Sequence, residues 1–142
     1  MSVLIERRYA AVIHPLHAIL LAGTVPLYLG AALGDIAYAN TYHIQWNNFA
    51  SWLLAGGLVL NAIALLFLLA DLFRADRRAR GILPYAVTML ATWVVGFIGA
   101  LVHARDAWAS MPAGLVLSIV ATLLACLGTW FGFRGRRHGV VA

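Results

Sequence analysis

Residues 53–80 read LLAGGLVLNAIALLFLLADLFRADRRAR, an apolar run that ends in a cluster of arginines. The apolar segment extends from Phe49 to Phe73, and about 20 such residues are enough for a helix to cross the hydrocarbon core of a bilayer. Short basic loops resist translocation, so arginine and lysine collect on the cytoplasmic flanks of membrane helices. The stretch therefore predicts a membrane-spanning helix whose Arg74 end faces the cytoplasm.

Three further apolar runs of spanning length predict a bundle. Together the runs indicate four helices over about 9–33, 49–73, 82–103 and 111–133. Short connections between consecutive helices force antiparallel neighbours. The expected fold class is all-α, an integral membrane four-helix bundle that forms a single transmembrane domain over residues 1–142. The only long connection expected is 34–48.

The arginines set the expected orientation. Apart from Arg105, they fall in three clusters, which are Arg7-Arg8, Arg74 to Arg80, and Arg134 to Arg137. If all three clusters are inside, both termini are cytoplasmic, and Arg105 and the 34–48 connection are outside.

Composition excludes several classes of protein. The chain has 142 residues, of which 63% are hydrophobic and 11% charged, and its mean hydropathy is +0.89. A soluble domain of this size cannot bury that much apolar surface. The formal charge of +5 does not indicate nucleic-acid binding, because the arginines follow the loop pattern and would meet anionic lipid. The single cysteine, Cys126, excludes an intramolecular disulfide.

Small residues recur four apart in the predicted helices, as in Gly96/Ala100, Gly114/Ser118 and Gly128/Gly132. Such stripes let helices approach closely in lipid. They predict close packing, within the bundle or between subunits, and we expect a homo-oligomer.

Polar side chains at membrane depth are costly unless they are paired or solvated, so they are the first candidates for function. His14 and His17 lie three residues apart in the first helix and therefore share a face. They fit neutral histidines that pair with backbone or headgroups, and the alternatives are ligands of a haem, a metal site or a proton-handling pair. A haem ligand on a second helix would have to come from another copy or another protein. In the second helix, Asn61 is expected to hydrogen-bond to a neighbouring helix.

A second polar group gathers at the outside end of the bundle. Its members are Asp35, Tyr38, Gln45, Trp46, His103, Arg105, Asp106 and Trp108. Trp and Tyr are common at membrane interfaces, but histidine, carboxylates and arginine together can form either an ion-paired cap or a ligand site for a quinone or haem. Arg105 is expected to pair with Asp35 or Asp106.

Several strings resemble a known family. They are HPLHAILL at 14–21, DIAY at 35–38, QWNNF at 45–49, LVHARDAW at 101–108 and MPAGL at 111–115. They are similar to those of the bacterial membrane-protein family catalogued as domain of unknown function 2231, over nearly the whole chain. The resemblance implies a four-helix protein of the bacterial inner membrane and an association with periplasmic quinoprotein-type sugar dehydrogenases as a membrane redox partner. Many relatives have a histidine early in the third helix, where this chain has Leu83-Pro84-Tyr85-Ala86.

Three functions fit the sequence. The leading hypothesis is a membrane electron-transfer or quinone-interacting subunit, with His14, His17 and His103 as candidate haem b ligands and the outside group as a quinone site. In a quinol site, His103 would hydrogen-bond to a ring oxygen, Asp106 or Asp35 would take the proton, and Trp108 or Trp46 would pack on the ring. The second hypothesis is a non-catalytic scaffold that recruits a periplasmic partner, and the third is a small oligomeric transporter. Whether the chain is itself an enzyme is left open.

Overall fold

The computed structural model describes residues 14–73 and 82–134. Within these ranges the chain forms only helices, namely α1 (Pro15–Thr41), α2 (Ile44–Phe73), α3 (Ile82–His103), the short α4 (Ala107–Ser110) and α5 (Ala113–Arg134). The four long helices are each long and apolar enough to cross a membrane. The predicted all-α membrane bundle is therefore confirmed.

The expected long connection at 34–48 is wrong. α1 continues to Thr41 and α2 begins at Ile44, so only a two-residue turn separates them. Tyr42 makes this turn in the left-handed region, with φ of 56°, and its N–H bonds to the Tyr38 carbonyl. Hydropathy falls after Leu33, but the helices persist because polar residues such as Asp35 and Asn47 are buried against neighbouring helices.

The long helices pack in a fixed order. α1 contacts α2 and α5, and α3 contacts the same two helices, so α1 and α3 lie diagonally across the core. The small residues of the predicted stripes face this core, since Gly96, Gly114, Ser118, Gly128 and Gly132 are all buried. The stripes thus serve packing within one copy, and the expected homo-oligomer stays a prediction.

The bundle has two chemically different ends. α1 and α3 finish, and α2 and α5 begin, at what we call the His103 end. The opposite end, where α1 and α3 begin, we call the His17 end. The arginine clusters from which orientation was predicted lie outside the described residues, except for Arg134, so the cytoplasmic placement of the termini stays a prediction.

Candidate functional site

The His103 end is centred on a buried histidine that joins two diagonal helices. His103 is the last residue of α3, and its Nδ1 lies 2.8 Å from the Gly99 carbonyl one turn earlier. Its Nε2 lies 2.8 Å from Oδ1 of Asp35 on α1, and both side chains are almost fully buried. Both ring nitrogens of His103 are therefore engaged.

These two contacts fix where one proton must be. A carbonyl oxygen can only accept, so Nδ1 carries a hydrogen and donates it to Gly99. If Nε2 carried no hydrogen and Asp35 were ionised, two lone pairs would face each other across 2.8 Å and repel. A proton must lie between them, either on His103 as an imidazolium or on Asp35 as a carboxylic acid. The His103–Asp35 pair thus holds a shared proton.

The site is shaped by a glycine on α5. A Cβ at Gly114 would lie 2.9 Å from Cε1 of His103, which is closer than real Cβ contacts come. Gly114 thus leaves the imidazole ring room that a larger residue would occupy. The second carboxylate oxygen of Asp35, Oδ2, is buried and has no hydrogen-bond partner among the described residues.

An open cleft of about 400 Å³ lies beside His103. Its other walls come from the first turns of α2 and from the turn between α3 and α4, through Ile44, Gln45, Asn47, Asn48, Ser51, Arg105, Asp106 and Ala107. This volume falls within the range of small-molecule sites. Amides, a guanidinium and a carboxylate supply both donors and acceptors on its walls.

One wall of the cleft is tied by a buried serine. The Ser110 hydroxyl lies 3.0 Å from Oδ1 of Asn47 and 2.6 Å from the Ala107 carbonyl. Ser110 is fully buried and Asn47 nearly so. The contact attaches α4 to the first turns of α2 and fixes the orientation of the Asn47 amide at the cleft wall.

The structure brings together only part of the predicted outside group. Gln45, His103, Arg105 and Asp106 line the cleft, and Asp35 lies behind it, bonded to His103. The expected pair between Arg105 and an aspartate is wrong, because Asp35 bonds to His103 instead. Within the described part of the chain, neither Arg105 nor Asp106 forms an ion pair.

The predicted aromatic residues lie outside the cleft. Trp108 is exposed and stacks on Tyr42 with ring centroids 5.5 Å apart, while Trp46 meets Phe49 edge-on. Tyr38 is buried on α1 with its ring edge towards Tyr42. These residues shape the surface around the cleft, and none of the three lines it.

His14 and His17 are at the opposite end of the bundle. Nε2 of His17 lies 2.7 Å from the Tyr85 hydroxyl on α3, and both residues are buried. His14 is exposed and its ring stacks on Phe67. Among the described residues no three His, Cys, Asp or Glu side chains come close enough to hold a metal ion.

The sequence indicates no role for Tyr85, and it places Gly114 only in a small-residue stripe. The contacts of Ser110 with Asn47 and of Gly114 with His103 were not predicted. A signal for Tyr85 was present, because Tyr85 and His103 are 18 residues apart, about five full helical turns, and must share a face. His17 and Asp35 have the same spacing on α1. Nothing in the spacing of Ser110 or Gly114 indicates the contacts they make, because those depend on how α4 and α5 meet other helices.

The comparison with protein families covers almost the whole chain. A family model described as "Predicted membrane protein (DUF2231)" matches residues 13–141, which include both ends of the bundle. The chain belongs to this family. No curated protein and no solved structure matches the chain. For this DUF2231 protein the family description gives a membrane location and no chemistry, so function must be argued from the cleft.

Proposed function

We propose that this protein is a quinol-binding subunit of a membrane electron-transfer system, with the quinol head group in the cleft at the His103 end. The observation that supports it most is the shared proton of the buried His103–Asp35 pair beside an open cleft at the end of a membrane bundle. A quinol reaches such a site from the bilayer. It needs hydrogen-bond partners for its two ring oxygens and groups that take up protons.

The cleft residues can meet these needs. The Gln45 and Asn47 amides can donate to, or accept from, a ring oxygen. Asp106 lines the cleft with a carboxylate that makes no hydrogen bond within the described residues, so it is the group that takes a proton from a quinol hydroxyl. Arg105, next to it, stabilises negative charge on the same oxygen. His103 acts through Asp35 as a positioning pair, since neither of its nitrogens is free for the ligand.

Oxidation of a quinol to a quinone releases two protons and two electrons. Reduction of a quinone takes up the same two protons and two electrons. The cleft residues handle the protons in either direction, and the electrons are exchanged with a redox partner at the same end; a dehydrogenase would deliver them to the quinone. The sequence resemblance suggests a periplasmic dehydrogenase or another membrane subunit as that partner. We accordingly place the His103 end on the periplasmic side of a bacterial inner membrane, with both termini cytoplasmic, which is the orientation that the arginine clusters favour.

Haem fits these residues less well. His103 uses one nitrogen on Gly99 and the other on Asp35, and Nε2 of His17 is engaged by Tyr85. Iron binding at either Nε2 would require one of these buried bonds to break, and the two histidines are at opposite ends of the bundle. The scaffold and transporter hypotheses stay predictions.

The test is a binding titration in lipid nanodiscs. Decylubiquinol and decylubiquinone are titrated into wild-type protein and into Arg105→Gln and Asp106→Asn, and binding is followed by calorimetry. We expect saturable quinol binding that Arg105→Gln and Asp106→Asn each weaken by about tenfold, the value of one charge-assisted hydrogen bond. Arg134→Gln is the matched control, because Arg134 ends α5 at the other end of the bundle. Non-saturable uptake, equal in all variants, would show that the quinol only partitions into lipid and would contradict the proposal.

A further inference from the structure

The diagonal helices α1 and α3 run parallel and in one constant register. The His17–Tyr85 and Asp35–His103 contacts each join residues 68 apart in sequence. Tyr28 and Gly96 have the same separation, and the Tyr28 hydroxyl lies 2.8 Å from the position of a Cβ on Gly96. The same faces of α1 and α3 therefore meet along the core, from one end of the bundle to the other.

Polar side chains occupy this line of contact at four levels. Between the two end pairs lie Thr24 and Thr92, which share the same separation and are both buried. One turn closer to the His103 end is Tyr28, next to Asn61 of α2, and both are completely buried. We call these four levels the core polar row. From His17 to Asp35 it spans about 27 Å, close to the thickness of the hydrocarbon core.

Packing alone does not account for the row. A buried hydroxyl or carboxyl in a membrane costs free energy that an apolar side chain of the same shape would not. Among the buried oxygens in the row, Asp35 Oδ2 has no hydrogen-bond partner within the described protein, and the Tyr28 hydroxyl and Asn61 Oδ1 have none there except each other. Buried polar atoms of this kind are ordinarily satisfied by ordered water.

We propose that the core polar row transfers protons across the bundle between its two ends. A proton enters at the His103 end on Oδ2 of Asp35, passes the hydroxyl of Tyr28 and the hydroxyls of Thr24 and Thr92, and leaves at the His17 end from the His17–Tyr85 pair. At each hydroxyl one proton is accepted and another is released, so no charge accumulates. Chains of Asp, Glu and His side chains carry protons in membrane pumps and transporters, and the row has such groups at its two ends, Asp35 with His103 and His17.

The distances between the polar levels of the row determine how fast we expect protons to cross it. The longest steps, from His17 to Thr24 and from Tyr28 to Asp35, are each about 10.5 Å along the axis, several times a hydrogen bond. Water must enter beside Leu21 and Leu54, which are fully buried there, before a proton can cross. The transfer is therefore slow and gated by water entry.

Proteoliposomes test the proposal directly and without quinone, so its outcome does not depend on the proposed function. A potassium gradient with valinomycin drives protons, and a trapped pH dye reports the flux. We expect wild-type protein to pass protons faster than protein-free liposomes. Tyr28→Phe and Thr92→Val, which remove only a hydroxyl from the row, should each return the flux to the protein-free rate.

Two matched controls separate the row from general effects on the bundle. Thr88→Val removes a hydroxyl that bonds to an i−4 carbonyl at 2.7 Å, as Thr92 does, but outside the core. Tyr42→Phe removes the hydroxyl of a tyrosine exposed at the His103 end. Both should keep the wild-type flux. A wild-type flux equal to that of protein-free liposomes would overturn the proposal, and so would a flux that survives either Tyr28→Phe or Thr92→Val.

Discussion

Asp35 and His103 join the diagonal helices α1 and α3 through a bond of 2.8 Å that must contain a proton. The carbonyl of Gly99 fixes the other ring nitrogen of His103 as a donor, and this leaves Nε2 facing the carboxylate. A pair of this kind sets both the stability of the His103 end and the protonation of the wall of the cleft.

Replacing Asp35 with leucine should lower the free energy of unfolding more than replacing it with asparagine. In Asp35→Leu, Nε2 of His103 loses its partner inside the protein, and we expect the free energy of unfolding to fall by about 3–5 kcal/mol. In Asp35→Asn, the new amide can donate to Nε2, and the loss should be about 1 kcal/mol. Unfolding of the detergent-solubilised protein by SDS measures both. Equal losses would mean that the contact with His103 does not stabilise the bundle.

A methyl group at Gly114 should displace the imidazole ring of His103. Its Cβ would lie 2.9 Å from Cε1, so Gly114→Ala should destabilise the bundle by about 1–3 kcal/mol. Gly56→Ala is the control, because its Cβ would meet Leu27 at an ordinary 3.5 Å. The same SDS titration compares the two variants, and a neutral Gly114→Ala would show that α5 can move away from His103.

The hydroxyl of Ser110 should hold α4 against α2. Ser110→Ala removes its contact with Asn47, so the backbone amides of Ala107–Ser110 should exchange with deuterium faster than in wild type. Ser118→Ala serves as the control, since the Ser118 hydroxyl bonds only to the carbonyl of Leu115 in its own helix. Unchanged exchange in α4 after Ser110→Ala would assign its position to the stacking of Trp108 on Tyr42.

The direction of the bundle in the membrane can be measured by cysteine labelling. After Cys126→Ser, a cysteine replacing the exposed Trp108 should react with a membrane-impermeant maleimide added to intact cells. A cysteine replacing Arg134, at the other end, should react only after the cells are opened. The reverse pattern would contradict the orientation predicted from the arginine clusters.

The fold was largely predictable because membrane-spanning helices are recognised by long runs of high hydropathy. The bounds of α3 agree with the apolar run at 82–103, where hydropathy and helix end together. At 34–48 hydropathy falls but the helices continue, because polar residues such as Asp35 and Asn47 pair with residues of other helices. A hydropathy pattern carries no information about such pairs.

The site was predictable in composition but only partly in geometry. The sequence placed His103, Arg105, Asp106 and Gln45 at one end of the bundle, and the structure joins them in one cleft. It did not predict that Asp35 bonds to His103 rather than to Arg105, because that choice depends on the register of two helices that are not neighbours along the chain. The helical spacing of 18 residues shared by the two end pairs is the signal that would have found it.

Photolabelling with an azidoquinone shows whether a quinol head group occupies the cleft at the His103 end. Membranes containing the protein are illuminated with the probe, and the labelled peptides are identified by mass spectrometry with and without excess decylubiquinol. We expect labelling within residues 44–51 and 103–107 that the competitor suppresses and that is reduced in Asp106→Asn. Labelling that is spread over the lipid-facing helix surfaces, or confined to the His17 end, and that decylubiquinol does not suppress, would contradict a quinol site in this cleft.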